Sequence, residues 1–160
     1  MNKIKLLTNC CLLALAFTLL QSSSCKKDDD PVPQKTKTEL ITLGNWKFVK
    51  VESRTTPTGA WSDAGGLLQA CEKDNINVIR TNATYEINEG ATKCSAADPQ
   101  IVESGTWAFQ TNETELKQTP TGSSSSNVYG IEQLTETTLI LTYSEAFLGT
   151  TYYFRATFGH

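Results

Sequence analysis

Late in the chain an apolar side chain stands at every second position: Leu139, Leu141 and Tyr143 in one run, then Tyr152, Phe154, Ala156 and Phe158 in the next. A period of two places these side chains on one face of an extended strand, and it does not fit a helix with its repeat of about 3.6. Trp107 and Phe109 share a face in the same way. Similar runs, parted by Gly, Asn, Asp, Pro or Ser clusters, recur from Trp46 onward. They give eight candidate strands, at 46–52, 75–80, 84–88, 105–110, 114–118, 128–134, 138–144 and 151–158. Links as short as Thr135-Glu136-Thr137 join neighbours directly, which favours antiparallel hairpins over helical crossovers. The fold class is therefore all-β. An eight-stranded antiparallel up-and-down barrel is expected because closure leaves no exposed edge; a two-sheet sandwich with the same strand count fits the periodicity too.

Three longer segments interrupt the meander. Residues 55–70 carry Pro57, Gly59, Trp61, Gly65 and Gly66 ahead of Leu67-Leu68, residues 90–100 carry Cys94 and Asp98-Pro99, and residues 119–127 hold Pro, Gly and four serines. The last is predicted to be mobile.

The start of the chain is of another kind. Lys3 and Lys5 precede a nearly uncharged run over 6–20, whose 15 residues fall short of a bilayer-spanning helix, and Gln21-Ser22-Ser23-Ser24 follows. This layout predicts a signal peptide over 1–24. The small residues before Cys25, with Lys26-Lys27-Asp28-Asp29-Asp30 after it, resemble the processing site of bacterial lipoproteins. The resemblance implies that Cys25 is acylated and becomes the new N-terminus, anchoring the protein to the membrane. Ser22 stands where that pattern prefers Leu, which leaves a plain secreted product or an uncleaved anchor as the other readings. Each buried acyl methylene contributes about 0.8 kcal/mol, so a multiply acylated cysteine does not leave the bilayer. Residues 25–39, charged and proline-containing, read as a flexible tether to a domain over 40–160. The acidic run after Cys25 also resembles an export mark for the outer membrane or cell surface; as plain chemistry it is a solvated spacer.

With 1–24 removed, Lys3 and Lys5 leave too, and the 14 basic residues fall to 12 against 17 acidic ones. Such a body offers no basic field for phosphates, so no nucleic-acid partner is expected. Five cysteines become three when Cys10 and Cys11 leave with the signal, and two when Cys25 is acylated. In an exported domain the remaining pair, Cys71 and Cys94, reads as a disulfide. A metal or redox role is disfavoured, because no C-x-x-C occurs and the single histidine is the terminal His160.

Several segments together resemble one family. They are Leu43-Gly44-Asn45-Trp46, Cys71-Glu72-Lys73-Asp74-Asn75, Asn82-Ala83-Thr84-Tyr85, Glu89-Gly90-Ala91-Thr92-Lys93-Cys94, Gly105-Thr106-Trp107, and Ile131-Glu132-Gln133-Leu134 with Leu139-Ile140-Leu141. They are similar to the calycin-type, lipocalin-like domain of secreted bacterial lipoproteins over about residues 40–160. The resemblance implies an eight-stranded lipocalin-like barrel in which the tryptophan of Gly-x-Trp closes one end, covered by an arginine from a late strand. Here that pair is Trp46 and Arg155; since Arg155 has the opposite parity to Phe154, a solvent-facing Arg155 is the alternative.

For function, the first expectation is a non-catalytic binding module for a small, largely apolar ligand. Tyr85, Trp107, Phe109, Leu141, Tyr143, Tyr152 and Phe154 are the candidate lining of the barrel interior. The same residues serve a side-chain-filled core, since eight strands enclose little more than their own side chains. The other expectation is a loop-mediated module for an envelope protein or glycan, with Trp61 and the Asp98-Pro99 loop exposed, or with Trp61 folded back as a lid. No catalytic residue, metal or cofactor is assigned. Glu72 and Asp74 form no pair that can be placed across a cleft, and no phosphate loop or nucleophile elbow occurs.

Overall fold

Alternating inward and outward side chains, joined by tight turns, leave the chain one economical arrangement. The computed structural model describes residues 33–160. The signal peptide predicted over 1–24, the lipidated Cys25 and the tether up to residue 32 lie outside the described residues. The strands are β1 (Asn45–Arg54), β2 (Ser62–Asp63), β3 (Ile76–Ile79), β4 (Thr84–Asn88), β5 (Ile101–Gln110), β6 (Glu115–Pro120), β7 (Asn127–Leu134), β8 (Thr138–Phe147) and β9 (Thr150–Gly159). Each is antiparallel to its neighbours, in the order β1-β3-β4-β5-β6-β7-β8-β9. β9 returns to pair with β1 from Lys47 opposite Gly159 to Arg54 opposite Tyr153, which closes an eight-stranded up-and-down barrel and rules out the sandwich. β2 is a short annex on β1, pairing Glu52 with Asp63, and takes no part in closure.

The two ends of the barrel differ. At one end sit the short turns β3–β4, β5–β6 and β7–β8; at the other sit the long β1–β3, β4–β5 and β6–β7 segments and the β8–β9 hairpin. We call these ends the floor and the mouth. The floor is sealed by α1 (Lys37–Ile41), part of which the sequence reading assigned to the tether; the compact unit begins at Lys35, not at residue 40. Thr36 and Glu39 form a capping box, in which the Thr36 side chain accepts from the Glu39 N–H while Glu39 accepts from the Thr36 N–H. Lys37 donates to the Glu113 carbonyl at 2.6 Å and Lys35 pairs with Glu136 at 3.0 Å, so the segment is tied to two floor turns. Ile41 is fully buried there against Trp46 and Leu139 in the core.

β5 begins four residues before the predicted 105, because Gly105 interrupts an alternation that the backbone continues. A Cβ at Gly105 would come within 2.1 Å of the Thr119 carbonyl oxygen and 2.8 Å of the Tyr85 ring, so only glycine lets β6 and that ring approach.

The mouth segments are fastened at one corner. Cys71 and Cys94 form a disulfide between the β1–β3 and β4–β5 segments. Beside it, Asp74 Oδ2 accepts from the Thr92 hydroxyl at 2.7 Å and from the N–H groups of Thr92 at 2.8 Å and Ala91 at 3.2 Å. These bonds, the Thr92 hydroxyl first, hold the Asp74 carboxyl below its usual range against a smaller opposing effect of desolvation. A carboxyl lowered by folding contributes stability above its unfolded value, near pH 4, and loses it as pH falls through the lower folded value. In an acid titration followed by NMR, the Thr92 amide is therefore expected to shift with a midpoint clearly below about pH 4. A midpoint at or above that value would contradict the bonding described.

Candidate functional site

The barrel is not filled. Side chains of β1, β3, β4, β6, β7, β8 and β9 line an open-mouthed cavity of about 610 Å³, within the range of roughly 300–1,000 Å³ typical of small-molecule sites. Trp46, Leu139 and Phe158 form its floor side, and Val51, Ile79, Leu116, Leu141 and Ala156 its apolar walls. Toward the mouth the wall turns aromatic and polar, with Tyr129, Tyr143, Ser126, Asn127 and Glu145, and Leu68 reaches in from the segment beyond β2.

Polar side chains in this wall are Asn77, Gln118, Ser126, Asn127, Ser144 and Glu145, with the two tyrosine hydroxyls. Gln118 is only 7% exposed and its side chain lines the cavity. A side-chain amide on a cavity wall offers both a donor and an acceptor to a bound molecule or a water. The Tyr129 and Tyr143 rings meet edge to face, with centroids 5.9 Å apart. Burial pushes both phenols up; Glu103 adds to this at Tyr129, and Glu145 at both. They are therefore neutral hydrogen-bonding groups at physiological pH. Among the described residues the wall contains no Lys, Arg or His, and its one ionisable acid is Glu145.

Of the seven side chains predicted to line the interior, Leu141 and Tyr143 stand on the cavity wall and five do not. Tyr85 and Trp107 are buried in the core, with Phe109 packed against them. The Tyr85 hydroxyl donates to Glu103 at 2.6 Å, the Trp107 indole N–H donates to the Arg80 carbonyl at 2.9 Å, and Phe109 lies edge-on to Trp107. These large inward side chains fill the β4–β5 side of the barrel with one another. Phe154 stacks on Tyr143 at 5.0 Å and Tyr152 on Phe154 at 6.5 Å; these two β9 rings stand toward the mouth end of the strand and do not line the cavity. The sequence reading missed Gln118, Tyr129 and Glu145. Their signal was inward parity: Gln118 shares a face with Leu116, Tyr129 with Ile131, and Glu145 with Tyr143.

Trp46 is fully buried at the floor, where its indole N–H donates to the Ile41 carbonyl at 2.8 Å. The ring against it is His160, at 4.1 Å between centroids, and not Arg155. The predicted cover of Trp46 by Arg155 is thus corrected: alternation along β9 turns Arg155 to the outer face. There Glu52 accepts from its Nε at 3.0 Å and its Nη2 at 2.8 Å, and Glu132 accepts from its Nη1 at 3.2 Å. Trp61 lies on the same outer face between two guanidinium groups, Arg54 at 4.0 Å and Arg155 at 4.7 Å from the ring centroid. It is neither a free loop tryptophan nor a lid; it fastens the start of the strap that carries Leu68 to the mouth and ends at Cys71.

No protein-family model matches this chain, and no curated protein matches it. Among solved structures it is similar to a lipocalin-like protein from Bacteroides uniformis, at 12% identity and a TM-score of 0.39, over 70% of this chain and 94% of that one. The barrel itself is established by its strand pairings.

Proposed function

We propose that this protein is a non-catalytic binding module that takes one small, largely apolar molecule into its barrel, held at the outer membrane or cell surface by a lipid on Cys25. The observation that carries the binding reading is the cavity of about 610 Å³, whose wall sets the amide of Gln118 among apolar side chains. Covering apolar wall with ligand removes it from water at roughly 25 cal/mol per Å², and the amide supplies orientation. The chain enters the barrel at the floor, through α1, so an anchor on Cys25 leaves the mouth free to face away from the bilayer.

Native mass spectrometry of the exported protein is expected to reveal a retained small molecule. Ala156 lines the cavity, and Ala156→Phe places a ring in the void. This substitution is expected to abolish retention while moving the melting temperature by less than about 5 °C, the shift corresponding to about 1 kcal/mol in a domain of this size. Retention by Ala156→Phe at the wild-type level would place the ligand elsewhere. No retained mass, together with no stabilisation across a panel of apolar compounds, would remove the reading.

A second reading is supported by the rim. Among the described residues, six of the eight exposed large hydrophobic ones, Leu67, Ile101, Val102, Val128, Phe147 and Leu148, belong to the mouth segments or the strand ends beside them. An apolar rim suits an envelope protein docking over the mouth better than it suits a glycan.

A further inference from the structure

We propose that the molecule bound in the cavity carries a positively charged nitrogen, seated at the corner made by Tyr129, Tyr143 and Glu145, with its apolar body toward the floor. This deepens the binding reading above and rests on it. From floor to mouth β8 turns Leu139, Leu141, Tyr143 and Glu145 into the barrel, so a single strand grades from aliphatic to aromatic to anionic. On β7, whose Gly130 pairs with Thr142, Tyr129 stands beside Tyr143 with an interplanar angle of 88°. Phe154 stacks on Tyr143 and fixes its plane. Two rings at right angles form an aromatic corner, and ring faces attract cations through their quadrupole.

The charge on the cavity wall at this corner is negative. Glu145 is on the wall, Glu103 acts on the Tyr129 phenol from β5, and no Lys, Arg or His lines the cavity among the described residues. Glu145 is exposed at the mouth end of β8, and a ligand carboxylate seated there would set a second negative charge beside it. An ammonium would meet a carboxylate and two ring systems there. Gln118 offers a separate point for a neutral polar atom of the same molecule.

The test uses three probes of equal chain length, decyltrimethylammonium, decanol and decanoate, below their aggregation concentrations. They are titrated calorimetrically into the exported full chain carrying Cys25→Ser, so that no acyl group competes. The ammonium is expected to bind at least about tenfold more tightly than the carboxylate, with the alcohol between them. Glu145→Gln and Tyr143→Leu are each expected to narrow the gap between ammonium and carboxylate to less than about threefold, with near-UV circular dichroism reporting that the barrel persists. Decanoate binding as tightly as the ammonium, or a gap that survives both substitutions, would overturn the charge assignment while decanol binding keeps the cavity reading. Failure of decanol to bind would overturn both.

Discussion

Replacing Trp46 with alanine is expected to cost about 3–5 kcal/mol of folding stability, the range for deleting a fully buried tryptophan. The ring has no exposed surface, closes the floor against Ile41 and His160, and donates the hydrogen bond that joins α1 to the barrel. Its loss leaves the Ile41 carbonyl without that donor and extends the cavity into the floor. Against a domain stability of the usual 5–15 kcal/mol, that is a large fraction. Urea unfolding of the two forms measures it, and Trp46→Phe, which keeps a ring but not the N–H, is expected to fall between them. A loss below about 1 kcal/mol would mean that the floor is held by other contacts.

Removing the disulfide has the second large effect. Cys71 and Cys94 are 23 residues apart in sequence, and in the chain-entropy model such a link is worth about 3.4 kcal/mol. The double variant Cys71→Ser, Cys94→Ser is expected to melt roughly 10–15 °C below the parent. The loss has a local side as well. The strap from Trp61 to Cys71 is held at one end by the two arginines and at the other by the disulfide, and between them Leu68 enters the cavity wall. With one fastening gone, a molecule in the cavity is expected to dissociate faster even at temperatures where the barrel remains folded. A double variant with an unchanged melting temperature and an unchanged dissociation rate would show that the Trp61 clamp alone holds the strap.

Much of this barrel is legible because its strands alternate, and the misses occur where alternation stops carrying information. β4 has the predicted limits at both ends, since a turn with Asn82 and Ala83 precedes it and Gly90 follows. β1 contains an irregularity between Phe48 and Lys50 that returns Val51 to the inner face after Trp46 and Phe48, and no period-two template shows such a bulge. β8 runs three residues past the predicted Ser144, and Glu145 keeps the inward parity and lines the cavity. α1 carries a readable T-x-x-E cap over Thr36 to Glu39, but one helical turn with a single buried side chain, Ile41, has too weak a pattern to separate from a tether. Arg155 faces outward as its parity allowed. The seat of Trp61 depends on guanidinium groups from two strands distant in sequence, which local pattern cannot reach. Whether the interior is hollow was likewise not legible. It follows from Tyr85, Trp107 and Phe109 clustering on one side of the barrel, which leaves the opposite side open.

The separation of short turns from long segments has a consequence for how this scaffold can change. Strand register is set by the three floor turns and by the two-residue β8–β9 turn at the mouth, connections too brief to absorb an insertion. Lengthening or exchanging the three long segments at the mouth leaves every pairing in the ladder where it was. Grafted sequences there could therefore retune selectivity on an unaltered frame, provided the cross-link and the arginine-clasped indole are retained.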